Sequence, residues 1–310
     1  MPQLNAFGKL FLAGGFNLEG ARRASPVAVK VESAYSSTGN GDAGVPLPKA
    51  IVDEVEILSA GPIGRNASYW FEQYVVDGGL HGRPRDMYID LRQTLGQASR
   101  GVEFHAKAGE FTLPLPVDPE TQRPTLANYA LFDQTVGAND FNLFEPRVGV
   151  DFYLTGASTG IQTHVVLLSQ HDVMGTFSKA FGSGWNATAY RYQGVRNLGA
   201  PDRFFRQGYA LAYDSGRFGA VALAQSGNDS NVDGAAATSS GGLVQAGWHF
   251  SSAASLYARY DATFNAFDGR LGAAIASLVM RPTHNTRFTL EGSRGSDRMY
   301  RLATGLLFAY

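Results

Sequence analysis

Between Leu256 and Phe264 the chain alternates strictly, with Leu256, Ala258, Tyr260, Ala262 and Phe264 in one set and Tyr257, Arg259, Asp261 and Thr263 in the other. A period of two places successive side chains on opposite faces of an extended strand. One face of this segment is therefore apolar, and the other carries two charges at its middle, where neither strand end offers easy solvent. A soluble sandwich would have to bury those charges or leave a broad aromatic surface in water. A closed barrel in a membrane satisfies both faces, because lipid lies outside it and water inside.

The pattern recurs along the chain. Val244, Ala246, Trp248 and Phe250 alternate with Gln245, Gly247 and His249, and Tyr300, Leu302, Thr304, Leu306, Phe308 and Tyr310 with Arg301, Ala303 and Gly305. Upstream, Met87, Ile89 and Leu91 alternate with Asp86, Tyr88, Asp90 and Arg92. Val102, Phe104, Ala106 and Ala108 do so with Glu103, His105 and Lys107, and Val148, Val150, Phe152 and Leu154 with Gly149, Asp151 and Tyr153. Compact connections fall at 96–100, 156–160, 214–217, 251–254 and 281–285, and longer polar ones at 77–85, 111–146 and 226–241. Short turns at one rim and long loops at the other are expected. Up and down strands balance when 28–35 is assigned to a long first loop and 173–181 pairs with 185–193 in an added hairpin. The expected fold is all-β: one closed antiparallel transmembrane β-barrel domain over residues 1–310, with about 16 strands, 14 being the alternative.

Composition agrees and removes other classes. Charged residues make up 17% of the 310, below the roughly 25% of soluble domains, and glycine reaches 37 residues. No apolar run approaches the roughly 18–20 residues of a membrane helix. With no cysteine, disulfides, thiolate metal sites, catalytic thiols and covalent haem attachment are excluded. A net charge of −1 gives no reason to expect nucleic acid. The start, Met1-Pro2-Gln3-Leu4-Asn5, shows no signal peptide, so a mature chain or a truncated gene is expected. Nucleotide-binding glycine motifs, the G-x-S-x-G elbow and the H-E-x-x-H pair are missing, so neither an enzyme nor a cofactor is expected. The six histidines are scattered. Asp229 to Gly234 match the first half of a calcium loop, but the twelfth position is Ser240 instead of Glu, and a polar surface loop is the reading adopted.

In ending on Tyr310 the last strand resembles those of bacterial outer-membrane proteins, which commonly close on an aromatic residue. A second resemblance spans residues 108–150. Ala108-Gly109-Glu110-Phe111-Thr112-Leu113-Pro114, a long connection with Arg123, Asn128, Tyr129 and Phe132, and then Pro146-Arg147-Val148-Gly149-Val150 resemble the phosphate-selective porin O/P family. In that family a G-K-F-x-x-P-F strand end precedes a pore-constricting third loop, and an R-x-x-G-V segment opens the next strand. Glu110 stands where the family often has Lys, which weakens any carry-over of phosphate selectivity. The porin part of fused cytochrome-porins is similar too, although a chain without cysteine lacks their haem motif.

The resemblance implies a porin of the bacterial outer membrane, passing small hydrophilic solutes or ions by diffusion, with 111–146 folded inward as a constriction. The charges of that loop then become candidates for selectivity: Asp118, Glu120, Asp133, Asp140 and Glu145 against one base, Arg123. The wall offers Lys107, Arg92, Arg147, Arg191, Arg259, Arg287 and Arg301. An acidic loop facing a basic wall sets up a transverse field that sorts ions, and cation tolerance is expected over strict anion selection. The alternative is structural: solvated loop acids, and lumen arginines paired with Glu54, Glu56, Glu72, Glu103 or Glu291. Two other functions stand beside the channel, a barrel sheath insulating an electron-transfer cytochrome and an outer-membrane barrel enzyme. Expected partners are outer-membrane lipid and small solutes or ions, with a homotrimer and a cytochrome as the protein partners to test. Ala258→Arg is expected to impair assembly and Arg259→Ala to be tolerated.

Overall fold

The computed structural model describes residues 27–39, 49–77, 80–95, 101–119, 123–156, 158–283, 285–296 and 300–309. Sequence expectations for residues 1–26, the 96–100 turn, Glu120, His284 and Tyr310 lie outside the described residues. Within them the strands are β1 (Val27–Gly39), β2 (Lys49–Pro62), β3 (Ala67–Asp77), β4 (Leu80–His81), β5 (Pro84–Leu95), β6 (Val102–Phe111), β7 (Arg147–Gly156), β8 (Ile161–Leu168) and β9 (Val173–Ala180). They continue as β10 (Trp185–Asn197), β11 (Pro201–Asp214), β12 (Phe218–Val232), β13 (Ala235–His249), β14 (Ala254–Asn265), β15 (Gly269–Thr283), β16 (Thr286–Gly295) and β17 (Tyr300–Ala309). One helical turn, α1 (Ala130–Asp133), interrupts the connection between β6 and β7.

Each strand pairs antiparallel with its neighbour in sequence, and β1 pairs with both β2 and β17, which closes the sheet. β4 is only a two-residue extension of the β3–β5 hairpin, so the wall has 16 strands, as the alternation predicted. Closure leaves no edge, and every wall strand can satisfy its backbone on both sides, which a bilayer demands.

The faces follow the sequence pattern. Val244, Trp248, Leu256, Tyr260 and Phe264 are exposed on the outside, while Tyr257, Arg259 and Asp261 are buried inside. Outward rings also form a chain near one rim, with Trp185–Tyr213, Tyr213–Phe218 and Phe218–Trp248 centroids 4.9, 6.3 and 6.2 Å apart. Such a girdle marks a membrane interface.

Three expectations fail. Residues 28–35 are not in a loop: they lie within β1, with Val31 opposite Phe308 on one side and Val55 on the other. The inward charges Lys30 and Glu32 make the segment look loop-like, but they face the lumen. Residues 226–241 are not a long loop either. β12 and β13 run on as 15-residue strands to a two-residue turn in which Asp233 and Gly234 take φ of 50° and 84°, the hairpin geometry that Asp-Gly favours. Their polar residues mark strands rising beyond the apolar band, not a loss of pairing. Consequently the rims do not differ as expected, because 169–172, 198–200, 233–234 and 266–268 are short on the same rim as the long 112–146 loop.

Candidate functional site: the lumen and its inward loop

Loop 112–146 lies inside the barrel because apolar and polar contacts both hold it there. Leu113, Leu131, Phe132, Phe141 and Leu143 are buried with inward residues of β8–β13, among them Met174, Tyr190, Tyr192, Phe204, Leu223 and Leu243. Phe141 meets Tyr192 at 4.3 Å and Phe204 at 4.8 Å between centroids. Each such side chain removed from water contributes roughly 1.5–3 kcal/mol. This half of the lumen is consequently packed by the loop.

Polar anchors carry the loop across to β14 and β16. Glu291 on β16 accepts from the backbone nitrogens of Leu126 at 2.7 Å and Ala127 at 2.9 Å. Arg259 on β14 donates to the carbonyls of Ala127 at 3.0 Å and Asn128 at 2.6 Å, to Thr125 Oγ1, and lies 4.4 Å from the Tyr129 ring centre. Asp261 accepts from Ala130 N at 3.2 Å. The Tyr129 hydroxyl donates to Gln245, and burial pushes its pKa up to about 12, Arg259 opposing the rise. At the rim, Asn139 donates to Asp229 at 2.8 Å and Asp202 at 3.0 Å, while Arg206 holds Asp229 through two nitrogens.

Among the described residues, a cavity of 360 Å³ lies between the loop and the β1, β2, β3, β5 and β16 side of the wall. The wall contributes Lys30, Glu32, Glu54, Tyr74, Asp77, Arg85 and Arg287, and the loop Arg123, Asn128, Asp133, Phe144 and Glu145. Lys30 Nζ lies 3.1 Å from Glu54 and 3.8 Å from Glu32, and it bonds Glu56, which is fully buried behind them. Arg287 stands 3.7 Å from Glu32. Glu145 is bound to Arg83. Desolvation, with Glu145 adding repulsion, raises the pKa of the Asp133 carboxyl.

Of the charged residues expected at a constriction, Arg123, Asp133 and Glu145 of the loop and Arg287 of the wall line this cavity. Arg123 is fixed by its own loop, donating to the carbonyls of Thr125, Pro119 and Leu126 and to Asn128. Asp118 lines a separate cavity of 60 Å³ beside Tyr129, Gln245, His249 and Tyr257. Glu120 is outside the described residues, and Asp140 and Arg301 are exposed and line neither space. Lys107 lies 4.6 Å from the Phe111 ring centre and 3.6 Å from the buried Asp151. Arg147 holds the end of the loop through Asn142 O at 3.0 Å, and Arg259 is the anchor described above. Arg191 does not face the lumen: its neighbours Tyr190 and Tyr192 are the buried, inward ones, and it is exposed on the outside. The segregated arrangement, acids on the loop and bases on the wall, is thus replaced by mixed charge on both sides of the cavity. Lys30 and Glu32 are absent from the sequence candidates because their charges make the segment read as a loop. The alternation of Val27, Val29 and Val31 was the signal that could have found them.

No family model and no curated protein sequence matches the chain, so the likeness to phosphate-selective porins stays one of short motifs. Solved structures match throughout. The OmpF complex with daunomycin from Salmonella typhi has a TM-score of 0.68 at 12% identity, covering 92% of this chain and 97% of that one. The outer membrane channel DcaP of Acinetobacter baumannii has 0.67 at 11%, covering 92% and 96%. An anion-selective porin from Comamonas acidovorans has 0.66 at 11%, covering 92% and 98%. The barrel therefore has the fold of outer-membrane porins.

Proposed function

We propose that the protein is a passive diffusion channel of the bacterial outer membrane for small hydrophilic solutes, with a mild preference for cations. The observation that carries this reading is the polar cavity left beside the loop. The loop packs against one half of the wall, and among the described residues the other half presents charged side chains to the cavity. Charges that line a narrow passage sort ions by sign, and a transport path of this kind requires no turnover chemistry. Five carboxylates, Glu32, Glu54, Asp77, Asp133 and Glu145, face four bases, Lys30, Arg85, Arg123 and Arg287. Glu56 and Glu72 lie buried behind them. The balance favours cations slightly, in contrast to the anion-selective porin of like fold.

Single-channel recording in a planar bilayer, with the reversal potential measured across a salt gradient, tests this directly. Discrete steps and a reversal of cation sign are expected, and Glu32→Gln with Glu54→Gln should move the reversal toward anions. An anion-selective wild type would sink the charge argument. Silence from a folded, heat-modifiable barrel would instead favour a sheath around a cytochrome. Cross-linking of the refolded protein would test the homotrimer.

A further inference from the structure

Arg123 and Asp133 both face the cavity, and among the described residues neither forms a salt bridge. Other charges there are compensated: Lys30 lies 3.1 Å from Glu54, Arg287 lies 3.7 Å from Glu32, and Glu145 is bound to Arg83. The Arg123 guanidinium donates four hydrogen bonds, all to neutral acceptors. Nε binds Thr125 O at 2.9 Å, Nη1 binds Pro119 O at 3.1 Å and Asn128 Oδ1 at 2.5 Å, and Nη2 binds Leu126 O at 3.0 Å. Of the five N–H groups of a guanidinium one is left over, and the charge is held in place without being neutralised.

Asp133 is exposed to the same space. Beyond desolvation, the groups acting on its carboxylate are Glu145, which repels a negative charge, and Asn128 and Arg123, which favour one. Asn128 thus stands between the base and the acid, its carbonyl oxygen toward Arg123 and its amide nitrogen left for Asp133. Two hydrogen bonds and the width of an amide set the charges about 6–8 Å apart. A fixed base and a fixed acid at that spacing suit a solute that carries both signs. An ion of single charge is attracted by one group and repelled by the other. A zwitterion lying across Asn128 brings a carboxylate to Arg123 and an ammonium to Asp133, and both contacts are charge-assisted. Because loop carbonyls already hold the guanidinium, little side-chain freedom is lost on binding. The spacing also selects: the termini of a dipeptide lie about 6–7 Å apart at roughly 3.5 Å per residue, whereas a single α-amino acid holds both charges on one carbon. The cavity of 360 Å³ falls within the roughly 300–1,000 Å³ of small-molecule sites.

We propose that the Arg123–Asn128–Asp133 face of the loop is a recognition subsite for short zwitterionic peptides, which dock there as they cross the cavity. The proposal rests on the reading of that cavity as a passage and names the class of solute it favours.

Saturation-transfer NMR of the refolded barrel in micelles tests it, with titrations of glycylglycine, glycylglycine amide and N-acetylglycylglycine, which are a zwitterion, a cation and an anion of similar length. Glycylglycine should bind about fivefold or more tightly than either of the others. Asp133→Asn should weaken glycylglycine binding by about fivefold without weakening that of N-acetylglycylglycine. Arg123→Gln should weaken glycylglycine without weakening the amide. Because the Asp133 side chain is exposed, its variant decides the matter even where Arg123→Gln loosens the loop. Equal binding of the three solutes, or glycylglycine binding indifferent to Asp133→Asn, would overturn the proposal. Planar-bilayer recording on the same preparation separates this outcome from failure of the channel reading. A conducting barrel with no preference for the zwitterion keeps the channel and removes the subsite. A barrel that binds the zwitterion preferentially but never conducts keeps the subsite and removes the channel.

Discussion

Ala258 and Arg259 are adjacent on β14 and face opposite media, so their substitutions separate the two roles of the wall. Ala258 is outward between Leu256 and Tyr260, and an arginine there should impair assembly by about 2–4 kcal/mol if it lies near the midplane. Denaturant titration of the barrel in lipid measures this cost. Arg259→Ala should still assemble, but the residue does more than occupy wet space. It binds the carbonyls of Ala127 and Asn128 and covers the Tyr129 ring. Its loss should free the loop and give larger or flickering conductance, which single-channel traces would register. A conductance identical to wild type would show that the loop is held without it. Asp133 adds a pH signature. Its carboxyl is raised by desolvation and by Glu145, so it takes up a proton at higher pH than an ordinary Asp, near 3.9. As pH falls the cavity loses this negative charge early, and cation preference should begin to decline above that value. Reversal potentials from pH 7 to 4 measure the decline, and Asp133→Asn should remove its upper part.

At the scale of elements, the loop is a folded unit pinned at both ends and in the middle. Deleting residues 118–140 removes the anchored stretch together with its apolar packing. Conductance should rise severalfold, and an unchanged value would remove the loop from any constricting role. The rim anchor can be tested by itself. Asn139 is fully buried and donates to two buried carboxylates. Asn139→Ala leaves those acceptors short of a donor and should cost about 1–3 kcal/mol, read as a lower denaturant midpoint. β12 and β13 supply the other half of that anchor. Val232 and Ala237 form a small buried cluster with loop residue Val136. The extended hairpin thus explains why a polar stretch stays paired far beyond the apolar band: its upper part packs against the loop.

For the whole molecule, one packing decision divides the lumen into a filled half and an open half. This division also explains which parts were readable in sequence. On β13, β14 and β17 the alternation was legible because outward residues are apolar and inward ones polar or small. On β10 the same rule fails. Tyr190 and Tyr192 point inward to meet the loop and Arg191 points outward, so polarity alone assigns Arg191 to the wrong face. On β1 the strand was masked by the charges it presents to the open half. The period-two strands and the closed barrel were legible in the sequence, because they depend on contacts between near neighbours and on the exclusion of charge from lipid, whereas the inward course of the long loop was implied by the resemblance of its flanking motifs. Only the tertiary structure decided which wall the loop covers, which charges reach the remaining cavity and which arginine faces lipid. Those outcomes depend on side chains more than 100 residues apart, such as Leu126 and Glu291, and no local periodicity encodes which of several wet faces a folded loop will make dry.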